Sequence, residues 1–139
     1  GILVGVVISL VYCPKNSIIL RVGILGVSSL PKPIIGFPFK AGTSLINYSY
    51  ESLVDCMALD WTVDLNWAIK NLNSSIASQG NLDPASLIPS ESYHLEKNVL
   101  SILHIMKDNK FIFSVGHGLT PDCKIKNVRK VIDIIRNYK

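Results

Sequence analysis

The stretch Ile76-Ala77-Ser78-Gln79-Gly80-Asn81-Leu82-Asp83-Pro84 decides the fold. It opens as a run of apolar and small residues and closes in polar, glycine- and proline-containing ones, as a buried strand does when it delivers a loop at its carboxyl end. Three other segments repeat the arrangement. Pro33-Ile34-Ile35-Gly36-Phe37 leads into Pro38-Phe39-Lys40-Ala41-Gly42, Cys56-Met57-Ala58-Leu59-Asp60 into Trp61-Thr62-Val63-Asp64, and Phe111-Ile112-Phe113-Ser114-Val115-Gly116 into His117-Gly118-Leu119-Thr120-Pro121. None of the four alternates strictly, as expected where helices cover one face of a sheet and a packed interior the other. The expected strands are therefore 33–37, 56–60, 76–80 and 111–116, parallel and adjacent in that order. In parallel α/β folds the carboxyl-end loops build the active site, so the four loops should share one mouth.

Helical periodicity fills the gaps between the strands. Ile125, Val128, Val131, Ile132 and Ile135 recur at helical spacing, with Lys124, Lys126, Arg129, Lys130 and Arg136 largely opposite them, and Asp122 is the expected N-cap. A second helix is expected over 91–106, started by Pro89 and Ser90, with Leu95, Val99, Ile102, Leu103 and Met106 as its inner stripe. Shorter helices are expected over 44–54 and 64–72.

Composition narrows the function classes. Of the 139 residues, 48% are hydrophobic and 17% charged, which excludes disorder and calls for a sizeable core within one domain. The net charge of +4 arises in the first fifty residues, where Lys15, Arg21, Lys32 and Lys40 stand without any Asp or Glu. These four are scattered through apolar sequence and form no basic stripe, so nucleic acid is not an expected partner. Cys13, Cys56 and Cys123 lie far apart, with neither a metal-ligand spacing nor a disulfide framework, and a reducing cytoplasmic compartment follows. The apolar run 1–13 is too short to span a bilayer and is broken by Pro14, Lys15 and Asn16, so a membrane is not expected either. With no initiator Met, the chain is expected to begin inside a larger unit.

The four loops, in this order and spacing, resemble the C-terminal half of the uroporphyrinogen decarboxylase family. That family has a Phe-Pro-x-x-Ala-Gly loop, an Asp-Trp-Thr-Val strand end, a Gln-Gly-Asn-Leu-Asp-Pro turn and a closing Gly-His-Gly loop; here these are 37–42, 60–63, 79–84 and 116–118. The resemblance runs from Lys32 to Tyr138. It implies an α/β fold, the C-terminal half of a (β/α)8 TIM barrel, with residues 32–139 as the half barrel and 1–31 as an apolar segment that matches poorly. It also implies conversion of the four acetate groups of uroporphyrinogen to methyls with loss of carbon dioxide, without metal or organic cofactor. The substrate pyrrole, protonated on a ring carbon, serves as the electron sink.

Under this resemblance His117 is the substrate-binding residue, because an imidazole can donate to a carboxylate and carry charge near neutral pH. Gly116 and Gly118 would let a large ligand approach the backbone. Asp60, Gln79 and Asn81 are possible rim residues, while Asp83 before Pro84 reads as turn-forming, as does Asn81. Trp61 and Trp67 read as core anchors, His94 and His104 as structural or solvent-facing. No residue of the chain is assigned as catalytic with certainty. The family's arginine-rich loop, its pyrrole-binding aspartate and a pocket tyrosine belong to the first half of the barrel, so the chain is expected to be inactive alone and to need a separate N-terminal half, or to persist as a non-catalytic fragment or homodimer. A corrinoid-linked methyltransferase relative ranks last, since Leu119 stands where such proteins place the cysteine of a His-x-Cys zinc element.

Overall fold

A computed structural model describes residues 34–90 and 93–138. The expectations for residues 1–31, and the beginning of the first strand at Pro33, lie outside the described residues. The elements are β1 (Ile35–Gly36), a 3-10 turn (Gly42–Ser44), α1 (Leu45–Glu51), β2 (Cys56–Ala58), α2 (Leu65–Asn71), β3 (Ala77–Leu82), a second 3-10 turn (Pro84–Leu87), α3 (Leu95–Met106), β4 (Phe111–Val115) and α4 (Ile125–Asn137).

The four strands form one parallel sheet in the order β1-β2-β3-β4, as the sequence predicts. Its register aligns Ala58, Gln79 and Ile112 in one row across three strands. Side chains alternate along a strand, so this row lies opposite Met57, Phe111 and Phe113. Those three join Leu59, Leu82 and the inner stripes of the helices, Leu65, Ala68, Leu95, Val99, Leu103, Val131 and Ile135, in one buried core. The chain thus packs its helices on one side of a parallel sheet, as part of a β/α barrel does.

Local chemistry sets the element boundaries. Asp64 caps α2 by accepting from Trp67 N–H at 2.7 Å. Asp83 does the same for the second 3-10 turn, accepting from Ala85 N–H at 2.9 Å with Pro84 in the first turn, as expected of a turn-forming aspartate.

Other expectations are corrected. β3 does not stop at Gly80 but runs through Leu82, because Gly80, Asn81 and Leu82 pair in register with Phe113, Ser114 and Val115. α3 begins at Leu95 after His94, well past Pro89 and Ser90. α4 is preceded by Lys124 and not by Asp122, and Ile125 at its first turn is 72% exposed. Its place against the core goes to a polar residue. Asn127 is buried and donates through Nδ2 to Leu87 O at 2.9 Å and Pro89 O at 2.8 Å, tying α4 to the chain after the second 3-10 turn.

Candidate active site

The conformation of the Gln79–Pro84 segment determines how the mouth is built. Gly80 adopts a φ of +139°, and a Cβ there would stand 2.5 Å from the carbonyl oxygen of Leu59. Only glycine lets β3 lie this close to the end of β2. The next residue, Asn81, is buried and uses its side-chain amide to hold the loop after β2, donating to Val63 O at 2.8 Å and Asp60 O at 3.2 Å. Asn81 therefore satisfies carbonyls of a neighbouring loop, whereas the sequence reading has it serving backbone donors of its own turn. Gly116 repeats the device on the other side, since a Cβ there would meet Trp61 N at 2.4 Å. The space at Gly116 is taken by the protein's own backbone; around Gly118 it is open.

Asp60 joins the first two loops. It is 3% exposed, and its Oδ1 accepts from Thr62 N–H at 2.8 Å and from Thr62 Oγ1, while Oδ2 accepts from Lys40 N–H at 2.9 Å. Burial pushes its pKa up, but the hydrogen bonds from Thr62 and Lys40, with the Lys40 charge, outweigh burial and hold the carboxyl below its ordinary value. Asp60 is thus an ionised clamp with both oxygens occupied by its own loops.

What these clamps hold up is a group of rings. His117 is exposed, and its imidazole centroid lies 5.1 Å from Phe39, 5.8 Å from Trp61 and 6.2 Å from Phe37. Phe39 contacts both Phe37 and Trp61, at 5.7 and 5.8 Å between centroids. The three aromatic residues come from the loops after β1 and β2, and the histidine from the loop after β4. Phe37 and Phe39 remain 45% and 41% exposed, an unusual state for two clustered phenylalanines and one that leaves apolar ring surface accessible at the mouth. Lys40 extends over Phe39, its Nζ 5.3 Å from the ring centroid.

Of the four carboxyl-end loops expected to share one mouth, those after β1, β2 and β4 meet in this ring group, with His117 among the rings and Asp60 and Asn81 as structural ties, while the loop after β3 contributes no ring to it. Trp61 corrects the sequence reading. It belongs to this group and not to the core, because the Asp60–Thr62 turn carries it past the end of β2, while Trp67 does pack against the core. Phe37 and Phe39 were legible only as members of a loop motif. Gln79 is buried in the sheet row with Ala58 and Ile112, and its Oε1 has no hydrogen-bond partner among the described residues. His94 and His104 are exposed on and beside α3, as expected.

Other candidates carry less chemistry. Cys56 is fully buried, and burial followed by the charge of Asp55 pushes its thiol up to about 12, far from a nucleophile's range. An open concavity of about 730 Å³ on the outer side of α3, lined by residues such as Tyr93, Leu100, His104 and Tyr138, shares no residue with the four loops. Among the described residues no three His, Cys, Asp or Glu side chains gather as a metal site, and no helix is long and apolar enough to cross a membrane.

Four parallel strands, helices on one side and carboxyl-end loops converging on a histidine define part of an enzyme-type β/α barrel. The sequence model of the family described as Uroporphyrinogen decarboxylase (URO-D) matches residues 21–138, so the match begins at Arg21, upstream of Lys32. The chain belongs to the uroporphyrinogen decarboxylase family. Proteins named uroporphyrinogen decarboxylase are similar to it: that of Orientia tsutsugamushi (strain Ikeda) is 37% identical over 105 residues, and that of Jannaschia sp. (strain CCS1) 39% over 105 residues. That of Brucella ovis is 40% identical over 106 residues. Each comparison covers 76% of this chain and 30% of the relative, so the chain spans about three tenths of the length of the relatives it matches.

Proposed function

We propose that this chain supplies the carboxyl-terminal wall of a uroporphyrinogen decarboxylase site, in which His117 contacts the tetrapyrrole, and that turnover requires the remainder of the barrel. The observation that carries the reading is the position of the Gly-His-Gly histidine among three aromatic rings from two other carboxyl-end loops. A macrocycle with carboxylate arms needs apolar ring faces to lie on and donors at its edge, and the imidazole can donate to an acetate or propionate oxygen. Enzyme names among the relatives support the substrate. Under this reading the family unit runs from Arg21, where the family match begins, with 1–20 apart from it, and a cytoplasmic setting suits a chain with no disulfide framework.

Loss of carbon dioxide leaves an electron pair that must pass into a pyrrole protonated on carbon, so the site has to stabilise a cation and hold several carboxylates at once. Among the described residues the mouth offers Lys40 and His117 as groups able to carry positive charge, and both described arginines lie on α4. The family's arginine loop and pyrrole-binding aspartate, which the resemblance assigns to the first half of the barrel, have to supply the rest.

An anaerobic assay of uroporphyrinogen decarboxylation tests this with the chain alone, and mixed with the N-terminal part of the Orientia relative. The chain alone should give no product, and the mixture should give coproporphyrinogen. His117→Ala should lower the rate of the mixture by about tenfold or more, the equivalent of one net hydrogen bond to a charged group. Turnover by the chain alone, or a mixture indifferent to the substitution, would overturn the proposal.

A further inference from the structure

Lys40 sits where a lysine is locally unwelcome. Its backbone is left-handed, with φ at 52°, a region that side chains other than Gly, Asn and Asp enter at a cost. The buried Asp60 carboxylate pins it there by accepting its N–H at 2.9 Å. Both Asp60 oxygens are committed to loop hydrogen bonds, so that carboxylate binds the lysine's backbone N–H directly, while the ammonium acts on it through charge alone, without a contact ion pair. Among the described residues the ion pair found is Lys130 with Glu96, on α4 and α3, and none involves Lys40. The ammonium instead lies 5.3 Å from the centre of Phe39, whose ring also lies 5.1 Å from the His117 imidazole. Phe39 is thus bordered by two groups able to hold positive charge, at an exposed edge of the ring cluster.

We propose that Lys40 is a carboxylate-binding residue of this mouth, acting on the same ligand as His117 and gripping a second acidic arm of it. The inference rests on the assignment of the mouth as the tetrapyrrole site, and it identifies a part of that site which the Phe-Pro-x-x-Ala-Gly loop pattern leaves unspecified. A ligand lying on Phe37, Phe39 and Trp61 with carboxylates at its rim would have both the Lys40 ammonium and the His117 imidazole within reach as donors next to Phe39. The clamp by Asp60 gives Lys40 a fixed origin, so less freedom is lost when the ammonium engages the anion.

The test is binding of uroporphyrin I, the stable oxidised macrocycle bearing the same carboxylate arms, to the purified chain, followed by its visible absorbance at low and at raised salt. Lys40→Gly removes the ammonium and relieves the left-handed backbone, so its unfolding midpoint should stay equal or rise, and weaker binding could not be blamed on misfolding. Binding should weaken by roughly fivefold at low salt, with a shallower salt dependence, and Lys40→Arg should restore most of it. A cationic porphyrin should show no loss on Lys40→Gly. Equal uroporphyrin binding by wild type and Lys40→Gly, or no binding by wild type, overturns the inference. His117→Ala separates it from the reading beneath: weaker binding there with Lys40→Gly unchanged sinks the role of Lys40 alone, whereas weaker binding only in Lys40→Gly supports Lys40 and sinks the role of His117.

Discussion

Replacing Asp60 by Asn should destabilise the chain at neutral pH and hardly at all in acid. The carboxylate receives three hydrogen bonds, two from Thr62 at Oδ1 and one from Lys40 N–H at Oδ2, in a site 3% exposed. An asparagine that keeps its oxygen towards Thr62 turns an NH2 towards Lys40 N–H, so one charge-assisted bond is lost and a partly buried donor is left unmatched. At ~1.5–3 kcal/mol for the bond and ~1–3 kcal/mol for the unmatched donor, partly overlapping, the cost is about 2–4 kcal/mol. That is a large share of the ~5–15 kcal/mol that holds an ordinary domain together. The sign of the pH effect follows from the lowered pKa of Asp60 in the folded chain. Its contribution is fully present above the unfolded value of about 3.9 and is lost as pH falls through the lower folded value. Urea unfolding followed by far-ultraviolet circular dichroism, at pH 7 and again at the lowest pH where the chain stays folded, measures both. A difference below ~0.5 kcal/mol at pH 7, or one of equal size in acid, would refute the clamp.

Two further substitutions probe the framework that carries the mouth. Gly80→Ala should cost about 3 kcal/mol or more, because the new methyl would stand 2.5 Å from Leu59 O on a backbone at φ +139°, and the urea midpoint reads it. Asn127→Ala should cost about 2 kcal/mol by leaving the buried carbonyl of Leu87 and the partly buried one of Pro89 without their donor, and hydrogen exchange should show the start of α4 loosening before its end.

Periodicity and turn chemistry made most of the architecture readable. The buried row Leu95, Val99, Ile102, Leu103 and Met106 follows directly from helical spacing, and Asp83 announces the turn it caps. Where the reading failed, non-local contacts had overridden local signals. Asn81 looks like a turn former, yet its amide is used by two carbonyls 18 and 21 residues away, and Asn127 breaks the apolar stripe of α4 to bind carbonyls 38 and 40 residues away. Ile125 obeys the helical period but stands at the first turn of α4, where the core does not reach it. The candidate site was legible at His117 through its flanking glycines and its family likeness. Its ring neighbours were not, since an aromatic residue after a strand reads equally well as core, and only the β1, β2 and β4 loops folded together show that Phe37, Phe39 and Trp61 meet the imidazole. Lys40 gave no local sign of its left-handed backbone, which depends on a carboxylate 20 residues away.

The chain's three histidines allow the central claim, that ligand meets the carboxyl-end mouth at His117, to be tested within one sample. His117 lies among the rings of the mouth, whereas His94 precedes α3 and His104 lies in its last turn. Titration of the isotope-labelled chain with uroporphyrin I, followed through the imidazole carbon-bound proton resonances, reports on all three sites at once. The account predicts that the His117 resonances move with saturating dependence on ligand while those of His94 and His104 stay in place. Movement at His94 or His104 with His117 unaffected would contradict it.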